Sequence, residues 1–171
     1  MDFLLWKICP TLEPINELLA QINRTRLGQF LTMPHSYLSM TRKSPYVDGH
    51  EHQGQEGAGS TMRILGRKYL FIYPFVKTHD WYQLPMEERR RIMGEHFVIG
   101  HRYPEVKIST AYSFGLDDQE FVLGFESDDA STFLELVEDL RSSEARPYTL
   151  RDTPIFTCVN KPMRDCLDDL G

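Results

Sequence analysis

The apolar periodicity of residues 68 to 159 switches between two and 3.6 in a fixed order, and that order constrains the fold more than any other feature of the chain. Lys68 to Val76 is rich in β-formers, is bounded by Gly66, and puts Tyr69, Phe71 and Tyr73 on one face, which predicts a strand. Pro85 then opens a segment with Glu87 and Glu88 in its first turn, where carboxylates suit the helix dipole. It is expected to run as helix to about Tyr103, before Pro104 stops it. Val106 to Phe114 and Glu120 to Glu126 read as antiparallel strands about a turn at Gly115 to Asp118. Asp128 and Asp129 are candidate caps of a second helix, in which Phe133, Leu136, Val137 and Leu140 recur at helical spacing. Thr153 to Val159 closes as a last strand.

The order is βαββαβ, a ferredoxin-like module of an α+β fold. Shifting the chain by 118 residues aligns DFLLWKI and LEPINELLAQINRTR with EFVLGFE and ASTFLELVEDLRSSE, pairing Phe3 with Phe121, Leu5 with Leu123 and Leu18 with Leu136. Two ferredoxin-like modules are therefore expected, the N-terminal one lacking its first strand, helix and strand. The shortening reads as a truncated gene model, with a naturally shortened domain as the alternative. The expected division is a partial N-terminal module over 1–42, a polar glycine-rich linker over 43–67, a complete module over 68–160 and a C-terminal tail over 161–171. A half module leaves a sheet edge and face that homo-oligomer contacts would cover.

Composition bounds the partners. With 41% hydrophobic residues the chain can build a core, and a formal net charge of −6 works against nucleic acid or an anionic membrane surface. The longest apolar run, Tyr69 to Val76, is eight residues and contains Pro74, far short of the roughly 20 that span a bilayer. No basic stretch precedes the apolar N-terminal residues, and Cys9, Cys158 and Cys166 form neither an even set nor a CxxC pair. A cytoplasmic protein with a small-molecule partner is the expectation.

Among six histidines, His96 stands apart because it shares a helical stripe with Ile92, Ile99 and Tyr103. Two readings are open: a core histidine bonded to a carbonyl, or an axial ligand of haem iron, for which neutral imidazole is suited.

The blocks YPFVKTHDWY, LPMEERRRIMGEHFVIG, SFGLDDQEF, LRSSEARPY and RDTPIFT, in this order and spacing, resemble the chlorite dismutase and coproheme decarboxylase family. LLAQINRTRLGQFL and HSYLSMTRKSPYV resemble the other half of its subunit. The resemblance implies two ferredoxin-like modules side by side, the dimeric α+β barrel, in a homo-oligomer that is pentameric by that likeness. It implies haem b or coproheme as cofactor or substrate, hydrogen peroxide as oxidant, and His96 in the EH-x-x-x-G block as the iron ligand. Glu144, with Glu120 as fallback, would be the carboxylate that holds His96. Tyr73 and Lys77 match the catalytic pair of the Y-P-x-x-K motif: the phenol can give up an electron and a proton, and the ammonium can hold a carboxylate. Read alone, they would be a strand aromatic and a solvated end residue. Trp81, in the loop after this strand, resembles the family's tryptophan beside the porphyrin.

One departure separates the family's activities. Chlorite-decomposing members place an arginine on the strand after the histidine helix, and alignment through GLDD puts Ile108 there, with Lys107 expected on the opposite face. Without a guanidinium the chlorite anion has no anchor, so chlorite dismutation is disfavoured and peroxide-dependent decarboxylation of coproheme to haem b is the expected activity. A haem-binding or haem-transfer protein without catalysis is the alternative, and a haem-free barrel a third. Arg146, with Arg141 behind it, is the expected partner of a propionate, although the serine expected nearby is replaced by Ala145 or Arg146. His50 and His52 in the linker are candidates for a distal histidine or for plain solvation, and Asp117 and Asp118 read as turn formers rather than metal ligands.

Overall fold

The computed structural model describes residues 2–46 and 62–170, and the chain divides into two compact units, Met1–Ser36 and Tyr37–Gly171. The division falls before residues 37–42, which the repeat assigned to the first module. Met40 exchanges backbone hydrogen bonds of 2.8 Å with Tyr112 of the second unit, and Leu38 N–H donates to the Asp117 carboxylate at 2.6 Å.

In the first unit, α1 (Glu13–Arg24) has Pro14 in its first turn and Arg24 in its last, both favourable to its ends. A 3₁₀ turn, Leu27–Phe30, follows. A Cβ on Gly28 would lie 2.1 Å from the Ile22 carbonyl oxygen, so only glycine permits the chain to turn back this closely. The helix of the repeat is thus present. DFLLWKI does not mirror its counterpart: it pairs in no ladder among the described residues, and a strand is defined by its partners.

The second unit carries β1 (Tyr69–Lys77), α2 (His79–Gln83), α3 (Met86–Gly100), β2 (Lys107–Tyr112), β3 (Phe121–Ser127), α4 (Ala130–Arg141), a 3₁₀ turn (Arg146–Tyr148), β4 (Thr149–Arg151), β5 (Phe156–Val159) and α5 (Met163–Asp168). The sheet runs β2-β3-β1 with β5 and the short β4 on the far side of β1, and the pairings are antiparallel. This is the ferredoxin-like α+β arrangement expected. The helix of residues 86–100 ends three residues before Tyr103, and α2 and α5 form where a loop and a tail were expected.

Pro74 sits within central strand β1, where a missing N–H ordinarily breaks a ladder. Here β5 pairs with Tyr69 to Ile72 and β4 with Val76 and Lys77, so Pro74 falls in the interval between the two partners. Opposite pairs Phe71–Phe125, Tyr73–Leu123 and Ile108–Phe125 put these side chains on one face. Helices α3 and α4 cover it: Ile99 and Leu136 are buried in the same cluster as Phe71, Tyr73 and Phe125, and Phe133 stacks on Phe71 at 3.8 Å. Asp129 caps α4 by accepting from Ser131 N–H at 3.0 Å, whereas Asp128 instead pairs with Arg67 and Lys68 N–H.

Candidate functional site

Between α3 and the covered face of the sheet lie the side chains singled out from the sequence. His96 is partly buried on α3; its Nδ1 is shielded from solvent and has no hydrogen-bond partner among the described residues. Burial first, and the positive charge of Lys77 second, push its imidazole down to about 4, so the ring is neutral at pH 7. A neutral ring with an unclaimed nitrogen is the form that ligates iron.

Lys77 ends β1. Its Nζ lies 4.2 Å from the Trp81 ring centre and 5.5 Å from that of Phe75, two faces attractive to a cation. Burial pushes this ammonium down to about 8, opposed by the Glu120 carboxylate. Trp81 is held in α2 and is 1% exposed, packed against Ile92 and Ala145, with Nε1–H donating to the Tyr46 hydroxyl at 3.3 Å. A helix of five residues is too short to show a period, which is why the sequence reads as loop there.

Tyr73 is 8% exposed and stacks on Phe125 at 5.6 Å. Burial, then the Asp152 carboxylate, hold its phenol firmly protonated, while Arg141 and Arg146 act the other way. Those three charges form one group: Asp152 accepts from Arg146 at 2.7 Å and from Arg141 at 3.3 Å. Ile108 shares the Tyr73 face and reaches α3, where a Cβ on Gly100 would stand 3.5 Å from its Cδ1. Lys107 points to the other face, opposite buried Glu126.

The expected carboxylate behind His96 is not found there. Glu144 is exposed and gives both oxygens to Arg91, at 3.0 and 2.5 Å, while its backbone N–H is held by Glu95. A guanidinium matches a carboxylate in two parallel bonds, and Arg91 also takes Glu88, which anchors it at the surface. Glu120 is also engaged elsewhere, accepting from Tyr82 Oη at 2.6 Å and from Lys77 N–H at 2.7 Å.

Asp117 accepts from the N–H groups of Leu38 and Asp118 and from Gln119, as a turn-holding carboxylate does. Among the described residues no group of three or more His, Cys, Asp or Glu could hold a metal ion. His50 and His52 lie outside the described residues. Among the described residues no helix is long and apolar enough to cross a membrane, and the three cysteines are free thiols. Sequence reasoning passed over Asp152, Tyr82 and Arg89; all three lie in the blocks that carry the resemblance, but a charged or phenolic residue shows no partner until the chain folds.

Fold and side chains together define an α+β protein of ferredoxin-like architecture with a neutral helical histidine, a half-buried lysine at the end of β1 and a buried tyrosine on the covered face of the sheet. The chain belongs to the chlorite dismutase family, whose model, described as Chlorite dismutase, matches residues 1–161. It is 31% identical over 159 residues to the coproheme decarboxylase of Mycolicibacterium smegmatis, covering 91% of this chain and 65% of that protein. The chain thus spans about two thirds of the length of that curated relative. The solved chlorite dismutase of Candidatus Nitrospira defluvii in complex with imidazole is 26% identical, with a TM-score of 0.81 over 94% of this chain and 68% of that one. An arginine-to-lysine mutant of the same enzyme gives 27% identity and a TM-score of 0.81, covering 92% and 67%.

Proposed function

We propose that this chain binds coproheme or haem b through His96 and, as a cytoplasmic homo-oligomer, decarboxylates coproheme with peroxide. The observation that carries this reading is the His96 ring, neutral at pH 7 and with a buried Nδ1 that none of the described residues satisfies. The remaining donor set fits an iron porphyrin with acidic arms: an unpaired ammonium at Lys77, guanidinium groups at Arg141 and Arg146, and apolar walls from Trp81 and Ile108. When bound, the iron porphyrin supplies the oxidising power that peroxide delivers.

Each side chain then has a task. Tyr73 stays protonated in its buried place, so it can give up a proton and an electron together to an oxidant beside it. Lys77, titrating at about 8, holds a carboxylate by charge and can also pass a proton at neutral pH. Trp81 covers that ammonium and keeps water from it. Ile108 supplies no charge to retain chlorite, so the reading excludes chlorite turnover as the main activity. The coproheme decarboxylase relative supports the choice of substrate.

The test is a titration with coproheme followed at the Soret band, then addition of peroxide with propionate loss read by mass spectrometry. The chain is expected to bind coproheme stoichiometrically, and the bound coproheme to lose two of its four propionate carboxyl groups. His96→Ala should abolish the histidine-ligated spectrum. Tyr73→Phe should keep binding and slow decarboxylation roughly a hundredfold or more. An unchanged spectrum in His96→Ala would overturn the ligand assignment, and a parent-like rate in Tyr73→Phe would overturn the relay. Tight binding with all four propionates intact would favour a haem carrier.

A further inference from the structure

Arg67, Arg91, Arg102, Arg141 and Arg146 each reach a carboxylate. Arg89 does not. It is partly buried, and its side-chain Nε is shielded from solvent with no hydrogen-bond partner among the described residues. A donor on a permanently charged group, removed from water and left unpaired, costs stability, and such a group in a folded protein calls for a ligand to explain it. The acids that could have satisfied it are used elsewhere: Glu88 and Glu144 go to Arg91, and Glu120 takes Tyr82 Oη and Lys77 N–H. Arg89 lies close enough to Tyr82 to bias its phenol by charge, without bonding to it.

Its place on α3 says what kind of anion would reach it. Arg89, Met93 and His96 follow one another at i, i+4 and i+7, so they share the helical face on which the imidazole sits. Seven residues of helix span about 10 Å. A flat aromatic macrocycle with its metal at His96 would cover the Met93 side chain and bring an acidic arm at its rim to Arg89. Met93 packs with Trp81 and Ile92 in one apolar cluster, so the surface between imidazole and guanidinium suits a hydrophobic ring rather than a hydrated anion.

On the reading that a porphyrin binds at His96, we propose that Arg89 is the anchor for one carboxylate arm of that porphyrin. Guanidinium and carboxylate make paired, charge-assisted hydrogen bonds, and in a partly buried place these are stronger than at a surface. The Arg141–Asp152–Arg146 group is already paired internally; Arg89 needs no carboxylate of the protein to be displaced.

The test compares coproheme with its fully esterified methyl ester by Soret titration, in the parent chain, in Arg89→Met and in Arg89→Lys. Arg89→Met should weaken coproheme roughly ten- to a hundredfold and leave ester affinity at the parent value, with Arg89→Lys in between. Because the Arg89 Nε has no partner among the described residues, Arg89→Met should leave the unfolding temperature of the porphyrin-free chain unchanged or raise it. Equal loss for acid and ester, no loss for either, or a marked drop in the unfolding temperature of the porphyrin-free chain would each overturn the anchor and make Arg89 a structural residue. Failure of the parent chain to bind either porphyrin would overturn the haem reading and this proposal with it, whereas binding indifferent to Arg89 would overturn this proposal alone.

Discussion

Lys77 shows at the scale of one residue how burial moves the titration of a charged group. An ordinary lysine titrates near 10.5 and this one at about 8, because its ammonium is withdrawn from water against Trp81 and Phe75. Between those pH values the unfolded chain holds more protons than the folded one, so the stability of the porphyrin-free chain rises as pH climbs from about 8 to 10.5. Below 8 the full cost of burying the charge is present. Lys77→Met is therefore expected to stabilise the porphyrin-free chain at pH 7 by about 1–3 kcal/mol and to flatten the rise above pH 8, while weakening coproheme binding. Denaturant unfolding at pH 7 and pH 10 checks the first two effects, and Soret titration checks the third. His96 stood out in the sequence by its place in a helical stripe, whereas Tyr73 and Lys77 were singled out only through the family resemblance, because a strand aromatic and a strand-end lysine look ordinary by themselves. Glu144 was misplaced and Arg89 passed over for one reason: which charges pair is decided by tertiary contacts between α3 and the turn after α4, and a sequence shows charges without partners.

The elements themselves were legible wherever an apolar stripe runs longer than about two turns or four strand residues. The stripe Phe133, Leu136, Leu140 gave α4, and Leu136 at 0% exposure is its deepest residue, in the same cluster as Phe71 and Tyr73. Truncating it removes the contact that presses α4 onto the face where Tyr73 sits. Leu136→Ala should cost about 2–5 kcal/mol in denaturant unfolding, and porphyrin binding should weaken less than stability does, since the side chain belongs to α4 rather than to the His96 helix. What stayed hidden was short or conditional. Helix α2 is five residues of HDWYQ, and its identity as a helix rests on Trp81 being drawn into the cluster with Ile92 and Ala145. DFLLWKI has the residues of a strand but no ladder among the described residues, because sequence propensity supplies a preference and only a neighbouring strand supplies the hydrogen bonds.

At the scale of the whole molecule, the two sides of the sheet bear on which activity of the family is expected. The formal net charge of −6 repels a small anion such as chlorite, and in the proposed site Lys77 and Arg89 are assigned to carboxylate arms, so holding chlorite would call for a further cation at the Ile108 position of β2. That face presents Ile108, opposite Phe125, and the nearest lysine along β2, Lys107, is turned to the other side against Glu126. The haem-loaded chain is therefore expected to release little or no dioxygen from chlorite at an oxygen electrode. Ile108→Arg should raise that rate, and Ile108→Met should not, because it keeps the shape without the charge. The arginine also has a cost: the Ile108 side chain lies against α3 at Gly100, so a guanidinium there must turn toward the porphyrin to stay hydrated or paired, and the variant should unfold more readily when porphyrin is absent than when it is bound. Rapid dioxygen release from the unmodified chain would show that the anion is held by another group, and would remove the ground for preferring decarboxylation over chlorite chemistry.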